Sequence, residues 1–291
     1  MCSSNWLDIY GDNIKTIGLF DKSDSLIGSF NIYIGNKLGQ SYIITPPYST
    51  DIGLWYEDLT ETTFQKNKLR KNIVECVVQY LKNQKVLFTE IVLPISVTDI
   101  QPFQWSNFET SVKYTYLVDL NQSEETLLQN MSPERRKNIK DGIKNIEVEK
   151  CKDYSFTLEK IILSLEANDA KFNSDIVNKI ILQFPQNDNH ICYNTFSNNE
   201  LTSTHFIVKD GGSANYLFGW SDKKASSSAG TFGLWNCMLE AKALGVKTFN
   251  FAGSGIPSIE KYFRGFGGIL TPAFSVKRQS VLGKTILKLK K

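Results

Sequence analysis

Histidine is almost absent from this chain of 291 residues: there are two, His190 and His205. Cysteine is scarce and dispersed, with five residues at positions 2, 76, 151, 192 and 237 and no Cys-x-x-Cys pair. A Cys/His metal centre would have to assemble from distant parts of the chain, so no metal is expected. An odd, scattered set of thiols fits a reducing compartment better than a disulfide framework. Long charge-free apolar runs are missing, so no membrane-spanning helix is expected. The opening residues, Met1-Cys2-Ser3-Ser4-Asn5-Trp6, lack a basic stretch followed by an apolar one. No signal peptide is therefore expected, and the cytoplasm is the expected location. A strong excess of either charge is missing too: 33 Lys and Arg against 30 Asp and Glu leave +3. Without a basic stripe, DNA is not an expected partner, and an RNA-binding module ranks behind the readings below.

What is present is ordinary globular material, 41% hydrophobic and 22% charged, in a length that accommodates two domains. Alternating stretches predict strands at Ile17–Phe20, Leu26–Ile34 and Tyr42–Thr45, ended by Pro46-Pro47. An amphipathic helix follows over Thr62–Leu81, with Leu69, Ile73, Cys76, Val77, Tyr80 and Leu81 on one stripe, then a strand at Phe88–Leu93. A second series starts near Ser111. It comprises a strand at Tyr114–Leu120, helices opened by Ser123-Glu124-Glu125 and Ser132-Pro133-Glu134, and a short strand at Ile146–Lys150. Helices at about 156–167 and 174–182 come next, then strands at His190–Phe196, Leu201–Val208 and Ala214–Trp220. Asn198-Asn199 and Gly211-Gly212 are hairpin turns. A helix over Ser228–Leu244 stops at Gly245, and a strand covers 247–252. This order is α+β, with a parallel crossover from 214 to 252, and not a doubly wound nucleotide fold. The expected domains are 1–110 and 111–291. The run 277–291 reads as a basic amphipathic tail, with Val281, Leu282, Thr285, Ile286 and Leu289 opposite Lys284, Lys288 and Lys291. Such a tail either rests on an anionic membrane surface or folds back on its own domain.

The most specific stretch runs Lys247-Thr248-Phe249-Asn250-Phe251-Ala252-Gly253-Ser254-Gly255-Ile256-Pro257-Ser258-Ile259-Glu260-Lys261-Tyr262-Phe263-Arg264-Gly265-Phe266-Gly267-Gly268. It is a short strand, a glycine-serine turn and a brief helix with proline at its first position. This stretch resembles the Fem-like acyltransferases, a FemAB-type branch of the GNAT superfamily. In that family the strand ends Phe-Asp-Phe-Glu-Gly-Ser and leads to Ile-Pro, a basic residue, an aromatic pair and Phe-Gly-Gly. Thr45-Pro46-Pro47-Tyr48 before Gly53-Leu54-Trp55 is similar to the family's Pro-Pro-Tyr-Thr segment. Tyr116–Leu120 followed by Ser132-Pro133-Glu134-Arg135-Arg136-Lys137-Asn138-Ile139-Lys140 is similar to the strand and basic helix that open its second domain. Leu234-Trp235-Asn236, Glu240-Ala241 and Leu244-Gly245 are similar to its long helix before the last core strand.

The resemblance implies two tandem GNAT-like domains, with mixed, mainly antiparallel sheets flanked by helices. It implies acyl or aminoacyl transfer to an amine of a cell-envelope, peptidoglycan or polysaccharide precursor, small or lipid-linked. The implied co-substrate is acyl-CoA or aminoacyl-tRNA, with no tightly held cofactor. Contact with the inner face of the membrane is one implied arrangement, through the tail. Two departures stand out, Asn250 and Ala252 where the family often carries Asp and Glu. They motivate an alternative: a substrate-binding member of the same fold that turns nothing over. The coenzyme A pyrophosphate loop of ordinary GNAT enzymes is also missing. At the matching place stands Ser221-Asp222-Lys223-Lys224-Ala225-Ser226-Ser227-Ser228-Ala229-Gly230, whose serines and helix N-terminus can still hold an anion.

Acyl transfer to an amine needs a held and polarised carbonyl, a deprotonated amine and a proton for the leaving group. Splayed strands around 214–220 and 247–252 can offer backbone amides to the carbonyl. Tyr262 is the candidate proton donor, and Glu260 or His205 the candidate acceptor. The alternatives are an aromatic packing on its helix, a helix-face carboxylate and a structural histidine. Gly253, Ser254, Gly255, Arg264, Ser226 and Ser227 are candidates for donor phosphate. Arg135, Arg136, Lys140, Tyr48 and Asn250 are candidates for the acceptor, against a plain solvated basic face for the helical cluster.

Overall fold

The computed structural model describes residues 3–280 and 283, apart from 38, 169, 170, 223 and 254. These residues form two compact units, one holding the described residues up to Lys113 and those from Pro272 on, the other Tyr114–Thr271. The fold is α+β.

In the first unit, α1 (Ser4–Leu7) leads into the strands β1 (Ile14–Phe20), β2 (Leu26–Lys37), β3 (Gln40–Ile44) and β4 (Trp55–Tyr56). Helix α2 (Thr63–Lys82), strand β5 (Phe88–Val92) and helix α3 (Gln101–Trp105) follow. β1, β2 and β3 are antiparallel neighbours, and β3 pairs parallel with β5 across the α2 connection. Thr62 and Gln65 close a reciprocal capping box on α2, which satisfies two donors its first turn would otherwise leave open. Phe30, Ile32, Ile43 and Ile91 meet Ile73, Val74, Val77, Val78 and Leu81 of α2 in one core. Cys76, expected on that stripe, is exposed, and Val74 and Val78 take the inward positions instead.

β6 (Glu109–Asp119) enters the second unit at Tyr114 and is followed there by α4 (Glu124–Asn130), α5 (Pro133–Asn145), β7 (Glu147–Lys150), α6 (Tyr154–Ala167) and α7 (Ser174–Asn178). An irregular helical stretch then reaches β8 (His190–Ser197), β9 (Glu200–Asp210) and β10 (Ser213–Ser221). Asn198 and Asn199 both adopt positive φ, at 53° and 63°, as a two-residue hairpin turn of the mirror-image class requires. Helix α8 (Ser227–Ala243), strand β11 (Thr248–Asn250) and helix α9 (Pro257–Arg264) complete the unit. Its strand order is β6-β11-β10-β9-β8-β7. β10 and β11 are the parallel pair flanking α8, as the sequence order predicts. α8 is buried almost all round from Ser228 to Trp235, so its role as the central helix is wider than the Leu234, Trp235, Met238 and Leu239 face suggests.

The last strand, β12 (Ile269–Gln279), corrects the expected domain limits. Ser275–Gln279 pair antiparallel with Val92–Phe88 of β5, so the chain from Pro272 belongs to the first unit and not to a domain 111–291. The first boundary falls at Lys113 rather than 110. Residues 277–279 are strand rather than the start of a helical tail. The remaining tail positions, apart from Ser280 and Gly283, lie outside the described residues.

Candidate functional site

The β10–β11 ladder is short. It pairs Ser213 with Thr248, Ala214 with Phe249 and Asn215 with Asn250, and stops there, although β10 continues to Ser221. An irregularity at Tyr216–Phe218 in the β9–β10 register re-aims β10 just where it leaves β11. The end of the ladder is held by Asn250, nine-tenths buried. Its amide oxygen accepts from Thr115 Oγ1 at 2.7 Å and from the Ala252 N–H at 2.9 Å. Its amide nitrogen donates to Asn215 Oδ1 at 3.2 Å. One amide thus ties β6, β10 and β11 together, using donor and acceptor at once. A carboxylate in its place accepts but cannot donate to Asn215. Asn250, a candidate acceptor contact, is spent inside the sheet. Ala252 next to it is exposed and left-handed at φ 57°, and Gly253 follows at φ 141°. Gly255 is exposed, and Ser254 lies outside the described residues.

The N-terminus of α8 lies against the end of β10. Ser226 caps it, accepting from the Ser228 N–H at 3.2 Å, and the Ala229 N–H donates to the Ser226 carbonyl. Two first-turn amides are thereby used internally, while the Ser226 and Ser227 side chains are exposed. β10 approaches the first turn so closely that a Cβ on Gly230 would lie 2.5 Å from Ser221 Oγ.

Tyr262 of α9 reaches the same turn. Thr231 lies near its hydroxyl, and burial pushes its pKa up to about 12, against smaller opposing pulls from the Arg135 charge and from Thr231. The guanidinium of Arg135 lies over the Tyr262 ring, 4.4 Å from its centroid, and 5.9 Å from that of Phe266. Arg135 is 7% exposed, its Nε has no hydrogen-bond partner, and Nη1 meets exposed Glu134 at 3.4 Å. Asn138, one turn on, donates to Thr231 Oγ1 at 3.4 Å. Arg135, Asn138, Thr231 and Tyr262 therefore join α5, α8 and α9 around one point.

Glu260 lies two residues from Tyr262 and makes different contacts. It accepts from Tyr116 Oη at 2.6 Å and from Arg264 Nε at 3.0 Å. The bond to Glu260 is the main reason the Tyr116 hydroxyl titrates above its usual range. Arg264 remains largely exposed, open to an anion in solvent.

The basic helix does not act as one patch. Arg135 points inward. Arg136 donates to the carbonyls of Gln129 and Met131 at 3.1 and 2.7 Å and so caps α4, a structural use. Lys140 faces solvent. Tyr48 belongs to the first unit, at φ 66° in the turn that the Ser49 N–H closes on the Pro46 carbonyl. Thr231, Asn138, Thr115 and Tyr116 are not among the candidates that the sequence offers. The usable signal was a polar side chain at an inward position of an otherwise apolar segment.

His205 is enclosed in the core, 2% exposed, with Nδ1 3.1 Å from Tyr216 Oη. Burial lowers its pKa from 6.5 to about 4. An unfolded chain takes up a proton as the pH falls through 6.5, and the folded chain only near 4. Stability carried by neutral His205 is therefore complete above 6.5 and lost progressively down to about 4, by about 3 kcal/mol. His190 shifts the same way through burial, so the test is a difference measurement. Urea unfolding of wild type and His205→Gln between pH 7 and 4 should show the wild type losing the extra stability. Parallel curves would remove His205 as the cause.

No protein-family model matches the sequence, and neither does any curated protein. Solved structures do match. A crystal structure of FemX superimposes with a TM-score of 0.71 at 10% identity, over 98% of this chain and 93% of that one. The chain shares its fold with FemX. The C-terminal domain of a putative lysylphosphatidylglycerol synthetase from Agrobacterium fabrum gives 0.57 at 11% identity, over 98% and 89%. A tandem GNAT protein from the clavulanic acid biosynthesis pathway gives 0.51 at 8%, over 94% of each chain. The tandem GNAT-like architecture expected from the motifs is thus the observed one. Among the described residues, no helix is long and apolar enough to cross a membrane.

Proposed function

We propose that this protein transfers an acyl or aminoacyl group to an amine on a cell-envelope precursor. The observation that carries this reading is the end of the β10–β11 ladder at the Asn215–Asn250 pair while β10 runs on to Ser221, which lies with the Tyr262 hydroxyl against Gly230 in the first turn of α8. Backbone amides of β10 past that pair polarise the donor carbonyl, the preorganised stabilisation that acyl transfer needs. The amine attacks and gives its proton to Glu260 or solvent. The tetrahedral intermediate then expels the leaving group, which takes a proton from Tyr262. With a pKa of about 12, Tyr262 carries that proton throughout the physiological range. His205 is enclosed with Tyr216 and serves as a structural residue in this scheme.

The comparisons support the fold, and two of the neighbours add direction, FemX and a putative lysylphosphatidylglycerol synthetase. The donor is acyl-CoA or aminoacyl-tRNA, with its phosphates near Ser226, Ser227, Gly253, Gly255 and Arg264. The acceptor's anionic groups fall to Arg135 and Lys140. The working location is the cytoplasm, at the inner face of the membrane when the acceptor is lipid-linked.

The second reading is a binding protein without turnover. It is favoured by one observation, that Asn250 and Ala252 supply no carboxylate at the strand end. A thermal-shift titration with acyl-CoAs, and with charged and uncharged tRNA, separates the donors, because a ligand selective for the native state raises the melting temperature. Product formation with the stabilising donor and an envelope precursor establishes transfer. A precursor that stabilises the protein without turnover under any donor replaces the enzyme by the binding reading.

A further inference from the structure

The second unit carries three thiols that the acyl-transfer reading does not use, Cys151, Cys192 and Cys237, and two of them face each other. Strands β7 and β8 pair antiparallel, with Glu147 opposite Phe196 and Lys150 opposite Tyr193. The same register carried one residue further sets Cys151 opposite Cys192. The Cys151 N–H donates to the Cys192 carbonyl at 2.9 Å, which confirms that the alignment continues. Both side chains are free thiols, and both are buried. Residues directly opposed across an antiparallel ladder have Cα atoms about 4.5–5.5 Å apart, inside the span a disulfide bridges. We propose that Cys151 and Cys192 form a reversible oxidation site, closing a cross-strand disulfide when a peroxide reaches Cys151.

The surroundings divide the two roles. The neighbouring Cys192 thiol holds the Cys151 pKa down at about 7, while burial and the Cys151 charge push Cys192 up. Thr157 Oγ1, 3.2 Å from Cys151 Sγ, adds a hydroxyl contact. Asp153 nearby opposes the thiolate, more weakly than these contacts favour it. Cys151, at the end of β7 beside exposed Lys152, is the attacking sulfur, and Cys192, on β8 between β7 and β9, the resolving one. Cys151 is followed by exposed Lys152 and Asp153, which gives a small oxidant its route.

The steps balance. The Cys151 thiolate attacks one peroxide oxygen, the O–O bond breaks, and the departing hydroxide takes a proton to leave as water. The Cys151 sulfenic acid is then attacked by the Cys192 sulfur. The S–S bond forms, and the sulfenic oxygen leaves as a second water with the Cys192 proton. Two electrons pass from the thiols to one hydrogen peroxide. A bridge across directly opposed strand positions must draw the Cβ atoms closer than the ladder sets them. Strained bridges of this kind are the readily reduced ones, so the change reverses with thiols. Its effect is to lock β7, the end strand of this unit's sheet order, onto β8.

The test is hydrogen peroxide titration of the whole chain, followed by alkylation and peptide mapping. The expected result is a Cys151–Cys192 linked peptide that dithiothreitol abolishes, formed before Cys237 is modified. The Cys192→Ser variant should stop at a sulfenic acid on Cys151 that dimedone traps, and Cys151→Ser should form neither product. Exposed Cys76 is the internal reference. Oxidation of Cys76 with Cys151 and Cys192 still alkylatable as free thiols would overturn the proposal. So would a disulfide that joins Cys151 or Cys192 to a different cysteine in the wild type.

Discussion

Replacing Tyr262 with phenylalanine should lower kcat about 10²–10⁴-fold, the range over which a positioned general acid contributes. The substitution removes the hydroxyl alone. The ring keeps its place over the Arg135 guanidinium and its contacts with Phe263 and Phe266, so folding and substrate binding should change little. Losing the Thr231 contact costs about 1 kcal/mol at most, since an average hydrogen bond contributes that much net. The predicted signature is therefore a fall in kcat at nearly constant KM, with an unchanged melting temperature. Donor chemistry sharpens the test. A thiolate leaves readily without protonation, and a ribose hydroxyl does not, so the loss should be greater with aminoacyl-tRNA than with a thioester. Full kcat on the preferred donor in the Tyr262→Phe variant would reduce Tyr262 to an aromatic packing residue. A collapse in melting temperature would mean that the hydroxyl holds α9 to α8 and serves structure first.

Much of the second unit was legible because its signals are local. The Asn198-Asn199 and Gly211-Gly212 turns, the capped start of α8 and the strand before Gly253 each depend on neighbouring residues, and each formed where expected. The site was legible as a segment but not as a set of contacts. Asn250 stands out in the sequence for what it replaces. Its use as a three-strand tie depends on Thr115, 135 positions earlier, and on Asn215. The run Arg135, Arg136, Lys137, Lys140 reads as one basic face, yet helical geometry turns Arg135 under Tyr262 and leaves Arg136 to close α4. β12 is hidden in the sequence because Pro272 and the Lys277-Arg278 pair look unlike a strand. Its partners lie in β5, about 180 residues back, where no local pattern announces them. The same long-range logic set Cys151 against Cys192.

Gly267→Ala should destabilise the protein by about 2–4 kcal/mol, because two separate penalties fall on one methyl group. Gly267 adopts φ 77°, where an alanine costs about 1 kcal/mol more than a glycine. A Cβ there would also sit 2.4 Å from the carbonyl oxygen of Asn130 and 2.6 Å from its carbonyl carbon, and overpacking of this kind costs about 1–3 kcal/mol. Backbone cannot step aside as the tip of a side chain can. Asn130 ends α4, and the carbonyls of Gln129 and Met131 on either side of it are held by Arg136. The Ser132 N–H, bonded to the Gly265 carbonyl at 2.9 Å, fastens the same two segments from the other side. Gly255→Ala is the matched control: nothing lies within 4 Å of its added Cβ, so it should stay within about 0.5 kcal/mol of wild type. Urea unfolding of both variants decides the matter, with a lowered midpoint for the first alone. The turn at Gly267 fixes where α9 ends, and α9 carries Tyr262 and Glu260. Such a variant should therefore lose transfer activity even at temperatures where it remains folded. Wild-type stability and activity in Gly267→Ala would show that α4 and the end of α9 can separate, and that Tyr262 is not held in place from that side.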